Sequence, residues 1–141
     1  MVMSAKFLLD TNVLSEPLKP KPNQNVLDRL LANDDALALA AIVYLELVFR
    51  YLDLPDSKRK RAIEAYIRQE IEKKLLILPY DQSAARWHAM ERARLKHMGK
   101  MPPFFDGQIA AVAATNNLTL VTQNTDDFQY FQDLQMANWF E

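Results

Sequence analysis

Five acidic or amide side chains lie at positions where they could act together. Asp10 directly follows the first short apolar segment, at residues 6–9. Asn124 and Asp127 come just after a later apolar segment, at residues 119–122. Glu46 lies in the first turns of the helix predicted after the second segment, and Asp106 begins a later helix. Ligands of open parallel sheets bind outside the carboxyl ends of the strands, so we expect these side chains to converge at one edge.

The expected cluster is rich in carboxylates, and that composition points to a cation. Carboxylates gathered with no lysine or arginine nearby repel one another, and a bound cation relieves that repulsion. Ligands that are all oxygen favour magnesium or manganese over zinc. The chain has no cysteine and only two glycines, which excludes a thiolate zinc site, a cysteine nucleophile and a glycine-rich phosphate loop.

Each carboxylate also has an ordinary structural explanation. Asp10 and Asp106 could each cap the helix that they begin, which is a frequent role for aspartate. Glu46 could pair with Arg50 one helical turn later. Glu46 is the hardest to explain in this way, because an unpaired carboxylate among apolar neighbours is costly.

Length and charge bound the class of protein. The 141 residues suit one domain, and half of them are hydrophobic, which excludes a disordered chain. The chain carries 17 Lys and Arg against 18 Asp and Glu, so nucleic acid would have to be held by a local patch or a metal. The longest apolar run covers residues 36–45, half of a membrane span, and we expect a cytoplasmic protein without membrane contact.

The hydrophobic pattern alternates between short buried strands and helices. This alternation predicts a three-layer α/β/α domain around a central, mainly parallel sheet, occupying residues 1–141 as one unit. The helix over 42–52 is expected to pack on most sides, yet one sheet face cannot cover both it and the apolar stripe of 63–71, so an apolar patch should stay exposed. Strands are predicted at 6–9, 36–40, 75–78, 119–122 and 135–137, and helices at 11–16, 25–32, 42–52, about 58–74, 81–97 and 104–115.

Four segments resemble the motifs of PIN-domain proteins, close to the VapC and FitB toxins. The segments occur in the family's order, and the resemblance extends from Lys6 to Trp139. Relatives often have Ser, Thr, Ala and Arg where this chain has Ala40, Val43, Gly107 and Gln123. The segments are FLLDTNVL at 7–14, AAIVYLEL at 40–47, PFFDGQIAA at 103–111 and LVTQNTDDF at 120–128.

This resemblance implies a magnesium- or manganese-dependent ribonuclease, the toxin component of a type II toxin–antitoxin pair. By the resemblance, Asp10, Glu46 and Asp106 bind the metal and orient a water, and Asn124 and Asp127 complete the catalytic set. It also implies RNA as substrate, a cognate antitoxin protein as partner, and a homodimer. Thr11 and Asn12 are placed to support a metal ligand or a water by hydrogen bonds.

A basic stretch precedes Asp106 and provides a candidate RNA contact. It contains Arg92, Arg94, Lys96 and Lys100, with Glu91 as its one acid. Such a stretch is often only a solvated helix face, but its position before the site favours contacts with RNA phosphates. His88 and His97 in the same stretch are expected at the surface.

Two other classes of protein compete with the nuclease. An aspartate after the first strand also suits haloacid-dehalogenase-type phosphatases, in which it is a nucleophile, but those have a second acid where Asn12 stands here. A non-catalytic α/β interaction domain would explain the acids as caps alone. Stabilisation by manganese would distinguish the nuclease from the interaction domain.

Overall fold

The computed structural model describes residues 4–141 and contains one five-stranded sheet. The strand order is β3-β2-β1-β4-β5, and each neighbouring pair is parallel. The chain first adds strands on one side of β1 and then crosses to the other side, so the strand order reverses between β1 and β4. The strands are β1 (Phe7–Leu9), β2 (Leu37–Ala40), β3 (Leu76–Leu78), β4 (Thr119–Val121) and β5 (Met136–Ala137).

Helices flank the sheet in the expected three-layer α/β/α arrangement, and each predicted element is present within a few residues of its predicted bounds. One detail differs: the predicted helix over 58–74 changes to π-helical turns over Ile67–Glu72. None of the helices within residues 4–141 is long and apolar enough to cross a bilayer. The helices are α1 (Thr11–Ser15), α2 (Gln24–Ala32), α3 (Ala41–Leu52), α4 (Lys58–Tyr66), α5 (Gln82–His97) and α6 (Phe104–Thr115), with 3-10 turns at Glu16–Leu18 and Thr125–Phe128.

The core lies on the central strands and on α6. Leu8, Leu9 and Leu120 are fully buried, as expected for parallel strands covered on both faces. Helix α6 packs against β2, β4 and α5 through a run of small and branched residues, Ile109 to Ala113, all of them buried. Small side chains let the backbone of α6 approach the two strands and α5 closely. This close packing fixes the position of its first turn.

Helix α3 is less covered than its sequence predicts. Val43 and Leu47 are buried, but Leu45, Phe49 and Leu52 are 55%, 62% and 58% exposed. The prediction that this helix packs on most sides is therefore wrong, because α3 borders the sheet only along one stripe. The companion prediction of an exposed apolar patch is confirmed.

A buried ion pair ties α5 to the chain after the last 3-10 turn. The carboxylate of Glu91 accepts hydrogen bonds from Nε and Nη2 of Arg94 at 2.8 and 2.9 Å and from the backbone N–H of Gln132 at 2.7 Å. Arg94 also donates to the carbonyl of Tyr130 at 2.7 Å. The Arg94 hydrogen bonds hold the pKa of Glu91 below its usual range, against the opposing effect of burial. This pair anchors the segment that follows Asp127.

We predict that Glu91→Gln lowers the free energy of unfolding by about 1–3 kcal/mol near neutral pH, because the charge-assisted hydrogen bonds are weakened. The folded-state pKa of Glu91 is depressed, so its contribution is present above the ordinary value of 4.5 and is lost as the pH falls through the folded-state pKa. The difference between variant and wild type should therefore shrink in acid, as measured by urea unfolding at several pH values.

Glu70→Gln is the matched control, because Glu70 pairs with Lys74 at an exposed i,i+4 position. Its effect should stay within about 0.5 kcal/mol. Equal losses for the two variants, or a Glu91→Gln deficit that does not change with pH, would contradict the role given to this ion pair.

Candidate active site

Four of the five predicted side chains converge on one cavity at the carboxyl edge of the sheet. Asp10, Glu46, Asp106 and Asn124 line a space of about 420 Å³, together with Thr11 and Asn12. Asp10 follows β1, Asn124 follows β4 and Glu46 lies on the helix after β2, so three adjacent strands deliver them. The cavity thus forms where the strand order reverses, the usual place for a ligand in such sheets.

Asp10 is held rigidly at the bottom of this cavity. Its Oδ1 accepts a hydrogen bond from the backbone N–H of Thr11 at 2.8 Å, and its Oδ2 accepts from the hydroxyl of Thr122 at 2.8 Å. The amide of Asn12 approaches the same Oδ2 at 3.3 Å. Asp10 therefore does cap α1, as the structural explanation proposed, and the same carboxylate also faces the cavity.

Thr122 is a site residue that the sequence interpretation missed. Its side chain is fully buried, and its hydroxyl donates to Asp10 while accepting from the backbone N–H of Asn124 at 3.0 Å. The carbonyl oxygen of the Asn12 side chain accepts from the backbone N–H of Gln123 at 3.1 Å. These bonds join the ends of β1 and β4. A hydroxyl at the end of an apolar strand, next to an acidic motif, was the available signal.

Glu46 is half-buried and keeps a raised pKa. Burial is the main cause; the positive charge of Arg50 opposes it, and the negative charge of Asp10 adds to it. Among the described residues, no ion pair within 4 Å involves Glu46, and Arg50 instead makes a long 3.4 Å contact with the hydroxyl of Ser15. The proposed i,i+4 pairing with Arg50 is therefore absent.

Asp106 carries the largest perturbation of the site. Burial is the main cause, and together with the negative charges of Asp127, Asp10 and Glu46 it raises the pKa of Asp106 to about 6. Asp106 lies in the first turn of α6, whose N-cap is Pro103, so the explanation of Asp106 as the cap is wrong. Three acids from separate segments thus act on a fourth, which shows that negative charge is concentrated here.

Asn124 and Asp127 lie differently with respect to the cavity. Asn124 is exposed at its wall. Asp127 lies outside it and lines a neighbouring cavity of about 240 Å³ with Lys100 and Tyr130, although its charge still reaches Asp106. The four acids therefore form one electrostatic group, whereas Asn124 contributes an uncharged amide to the cavity wall and Asp127 lies outside that wall.

Two cations border the same cavity, and this corrects the assumption that no lysine or arginine lies near the acids. Lys19 and Arg50 both contribute to its lining. Lys19 pairs with the buried Glu16 at 2.9 Å, so much of its charge is already compensated. The raised pKa values of Glu46 and Asp106 indicate that these cations do not neutralise the acidic group.

The donor set of this cavity fits a hard divalent cation. Within residues 4–141, no three carboxylate or imidazole groups already stand in a complete ligand arrangement. The oxygens of Asp10, Glu46 and Asp106 nevertheless face one space, and the buried side chain of Thr11 lines the same space beside Glu46. Oxygen donors with uncompensated negative charge are what Mg²⁺ or Mn²⁺ requires.

The basic stretch of α5 separates into structural and accessible members. Arg94 is committed to Glu91 and Tyr130, so it holds the fold together. The guanidinium of Arg92 lies 5.3 Å above the ring of Phe104, and the ammonium of Lys100 lies 4.3 Å above the ring of Tyr130. Lys96 is exposed.

The two histidines of this stretch have different surroundings. His97 is exposed, as expected. His88 is only 2% exposed, so its predicted surface position is wrong. It lies on the side of α5 that faces the first turn of α6, where the packing of the two helices excludes water.

Comparison with known proteins identifies the family. The model of the PIN domain matches residues 7–134. The chain is 39% identical to Toxin FitB of Neisseria gonorrhoeae, covering 86% of this chain and 90% of FitB, and 34% identical to VapC ribonuclease Y4jK of Sinorhizobium fredii, covering 87% and 90%. The crystal structure of FitAcB from Neisseria gonorrhoeae matches with a TM-score of 0.86 at 35% identity, covering 96% of this chain and 99% of that one. The chain belongs to the PIN domain family, which displaces the phosphatase alternative.

Asp106→Asn is expected to stabilise the metal-free protein, and more so at higher pH. The pKa of Asp106 rises from 3.8 to about 6 on folding, so the folded state loses stability relative to the unfolded state as the pH rises through this window. Asparagine has no charge to bury. We expect a gain of about 1 kcal/mol near neutral pH, after allowance for solvent screening, and little gain near pH ~4.

Urea unfolding of both proteins in EDTA at these two pH values measures the effect. Asp56→Asn, which removes an exposed carboxylate, should change stability equally and slightly at both. A stability gain for Asp106→Asn that is the same in acid and at neutral pH would contradict the assignment of the raised pKa.

Proposed function

We propose that this PIN domain is a divalent-metal-dependent ribonuclease and the toxin component of a toxin–antitoxin pair. The observation that carries the proposal is the convergence of Asp10, Glu46 and Asp106, from three separate segments, on one cavity at the carboxyl edge of the sheet. Its relatives Toxin FitB and VapC ribonuclease Y4jK, a toxin and a ribonuclease by name, support the same conclusion. Phosphodiester hydrolysis is a reaction for which such a group suits a metal site.

In this proposal Asp10, Glu46 and Asp106 hold Mg²⁺ or Mn²⁺. The bound ion would supply an activated water and neutralise charge developing on the phosphate. The Thr122 hydroxyl and the Thr11 N–H keep the Asp10 carboxylate oriented, which limits the rearrangement that ion binding would require.

The remaining site residues act around this group. Asn12 fixes the turn after β4 through Gln123. Asn124 offers an amide at the cavity wall for a water or a phosphate oxygen. The negative charge of Asp127 acts on Asp106, and the side chain of Thr11 supports the Glu46 carboxylate in the cavity.

RNA would approach across the N-terminal end of α6. Arg92, Lys96 and Lys100 remain our candidates for phosphate contacts, because Arg94 is used by the fold. Phe105 is exposed and lines the cavity, so its ring offers a face on which a base could stack beside the reacting phosphate. These three cations and the Phe105 ring together would provide a local surface for RNA on a chain that has no net positive charge.

Removing an acid of the site should remove the activity. Asp106→Asn or Asp10→Asn is expected to lower metal-dependent cleavage of RNA by about 100-fold or more, because a charged oxygen ligand becomes a neutral amide. Cleavage of RNA by purified protein, with Mn²⁺ and with EDTA, measures this effect. Asp56→Asn is the control and should cleave at the wild-type rate. Unchanged cleavage by Asp106→Asn, or full activity of the wild type in EDTA, would overturn the proposed mechanism.

An apolar groove beside the cavity provides a surface for the antitoxin. It lies between α3 and α4, has a volume of about 600 Å³, and is lined mainly by Leu18, Leu47, Phe49, Leu54 and Ile63. The groove shares Ser15, Lys19 and Arg50 with the acidic cavity, so the two are continuous. A segment of antitoxin lying in the groove would therefore end at the acids, where an arginine could pair with the carboxylates and exclude the metal.

Antitoxin and metal should consequently compete. We expect saturating antitoxin to lower the apparent Mn²⁺ affinity, and Mn²⁺ to lower the antitoxin affinity by the same factor, because linkage is reciprocal. Glu46→Gln should weaken both, whereas Glu70→Gln, far from the cavity, should affect neither. Isothermal titration calorimetry measures the Mn²⁺ affinity with and without antitoxin, and the antitoxin affinity with and without Mn²⁺. Independent binding of Mn²⁺ and antitoxin would show that this inhibition mechanism is wrong.

We also propose that the protein forms a symmetric homodimer. The apolar surface of α3 extends beyond the groove through Leu45 and Leu52, each more than half exposed. Large apolar side chains grouped in this way usually mark an interface. A second copy would cover the exposed apolar face of α3 that contains Leu45 and Leu52, and it would leave the groove and the acidic cavity accessible.

A further inference from the structure

The imidazole of His88 is locked between α5 and the first turn of α6. The hydroxyl of Tyr80 shares a hydrogen bond with its Nδ1 at 2.9 Å, and its ring lies 5.0 Å from the ring of Phe104. Its Nε2 is buried and has no hydrogen-bond partner. Burial lowers the pKa of His88, and the charge of Arg92 adds to this effect, so the ring is neutral near pH ~7.

Gly107 has no side chain because the imidazole occupies the space where one would be. A Cβ atom built on Gly107 would lie 2.1 Å from Nε2 of His88 and 2.6 Å from its Cδ2. Both distances are far below van der Waals contact. Gly107 lies within α6, where glycine is less favourable than alanine by about 1 kcal/mol. The close approach of His88 therefore requires a residue that lowers the intrinsic stability of the helix.

His88 therefore contacts α6 on both sides of Asp106. It packs on the ring of Phe104, two residues before the acid, and on the backbone of Gly107, one residue after it. Arg92 reinforces the first contact, because its guanidinium also lies over the ring of Phe104. The turn that carries the Asp106 carboxylate is thus seated on one buried side chain of α5.

We propose that His88 is a positioning residue: its packing against Gly107 and Phe104 sets where the first turn of α6 places the Asp106 carboxylate in the cavity. This inference deepens the proposed function and rests on it, because Asp106 matters for metal binding only if the cavity takes a divalent ion. A methyl group at position 107 would have to displace either the imidazole or the turn by about 1.4 Å or more to restore contact distance. The imidazole is fixed by Tyr80 and by burial, so the turn gives way.

A displacement of this size would be felt by the metal. Oxygen ligands of Mg²⁺ or Mn²⁺ must lie about 2.0–2.2 Å from the ion, and loss of a supporting contact typically lowers affinity about 10–100-fold. The proposal thus separates His88 from residues that only stabilise the fold, because its effect should appear in ion affinity at temperatures where each variant is fully folded.

The test uses Gly107→Ala in two backgrounds, wild type and His88→Ala. In EDTA, Gly107→Ala should lower Tm by about 3 °C or more when His88 is present, because of the steric clash. In the His88→Ala background the same substitution should leave Tm unchanged or raise it, because the space is vacant and alanine favours the helix. Gln108→Ala, in the same turn, is the control and should have a small effect of the same sign in both backgrounds.

Calorimetric titration with Mn²⁺, well below each Tm, measures the positioning effect. Gly107→Ala should weaken the apparent Mn²⁺ affinity about tenfold or more when His88 is present, and should change it by less than about threefold in the His88→Ala background. Gln108→Ala should match the wild type. This dependence on His88 would not occur if Gly107→Ala acted by a general loss of stability.

The outcomes separate this inference from the proposed function. Wild-type protein that binds no Mn²⁺ would overturn the proposed function and the positioning role with it. Mn²⁺ binding that Gly107→Ala leaves unchanged would overturn the positioning role alone. Equal destabilisation by Gly107→Ala in both backgrounds would show that the imidazole does not impose the glycine, and would also overturn it.

Discussion

Repulsion among carboxylates at the carboxyl edge of the sheet is the constraint around which the rest of the structure is organised. Asp10, Glu46 and Asp106 come from three different segments, and each would be better solvated if it stood apart from the others. The pKa of Asp106 near 6 reflects first the burial of this carboxyl and then the charges of Asp127, Asp10 and Glu46. The fold must supply the free energy that holds them in place, and it does so with buried apolar contacts and hydrogen bonds that lie outside the acidic group.

Two separate sets of contacts hold these acids in place. On one side, Thr122 joins β4 to Asp10, so the central strand pair and the acid move as one unit. On the other, α6 packs between the sheet and α5, and His88 seats its first turn. The first support acts at the ends of β1 and β4, and the second acts at the first turn of α6. A change in either one reaches the site without altering any carboxylate.

The same geometry joins catalysis to control. The apolar groove between α3 and α4 and the acidic cavity share Ser15, Lys19 and Arg50, so a partner bound in the groove would lie next to the acids without any conformational relay. Exposed apolar residues on α3 are costly for an isolated chain in water. Their exposure is explained when the same surface is covered by other proteins.

The sequence by itself determined the fold class, the order of the elements and the acids at the strand ends, because hydrophobic period and strand-end position are local properties. Only the tertiary structure decided which polar residues surround those acids. Thr122 reaches Asp10 only because β1 and β4 are neighbours in the sheet, Lys19 borders the cavity only in the folded chain, and His88 proved buried because α6 covers that face of α5. Gly107 was visible in the sequence as an unusual residue, but its cause is an imidazole 19 positions earlier in the chain, brought against it by helix packing.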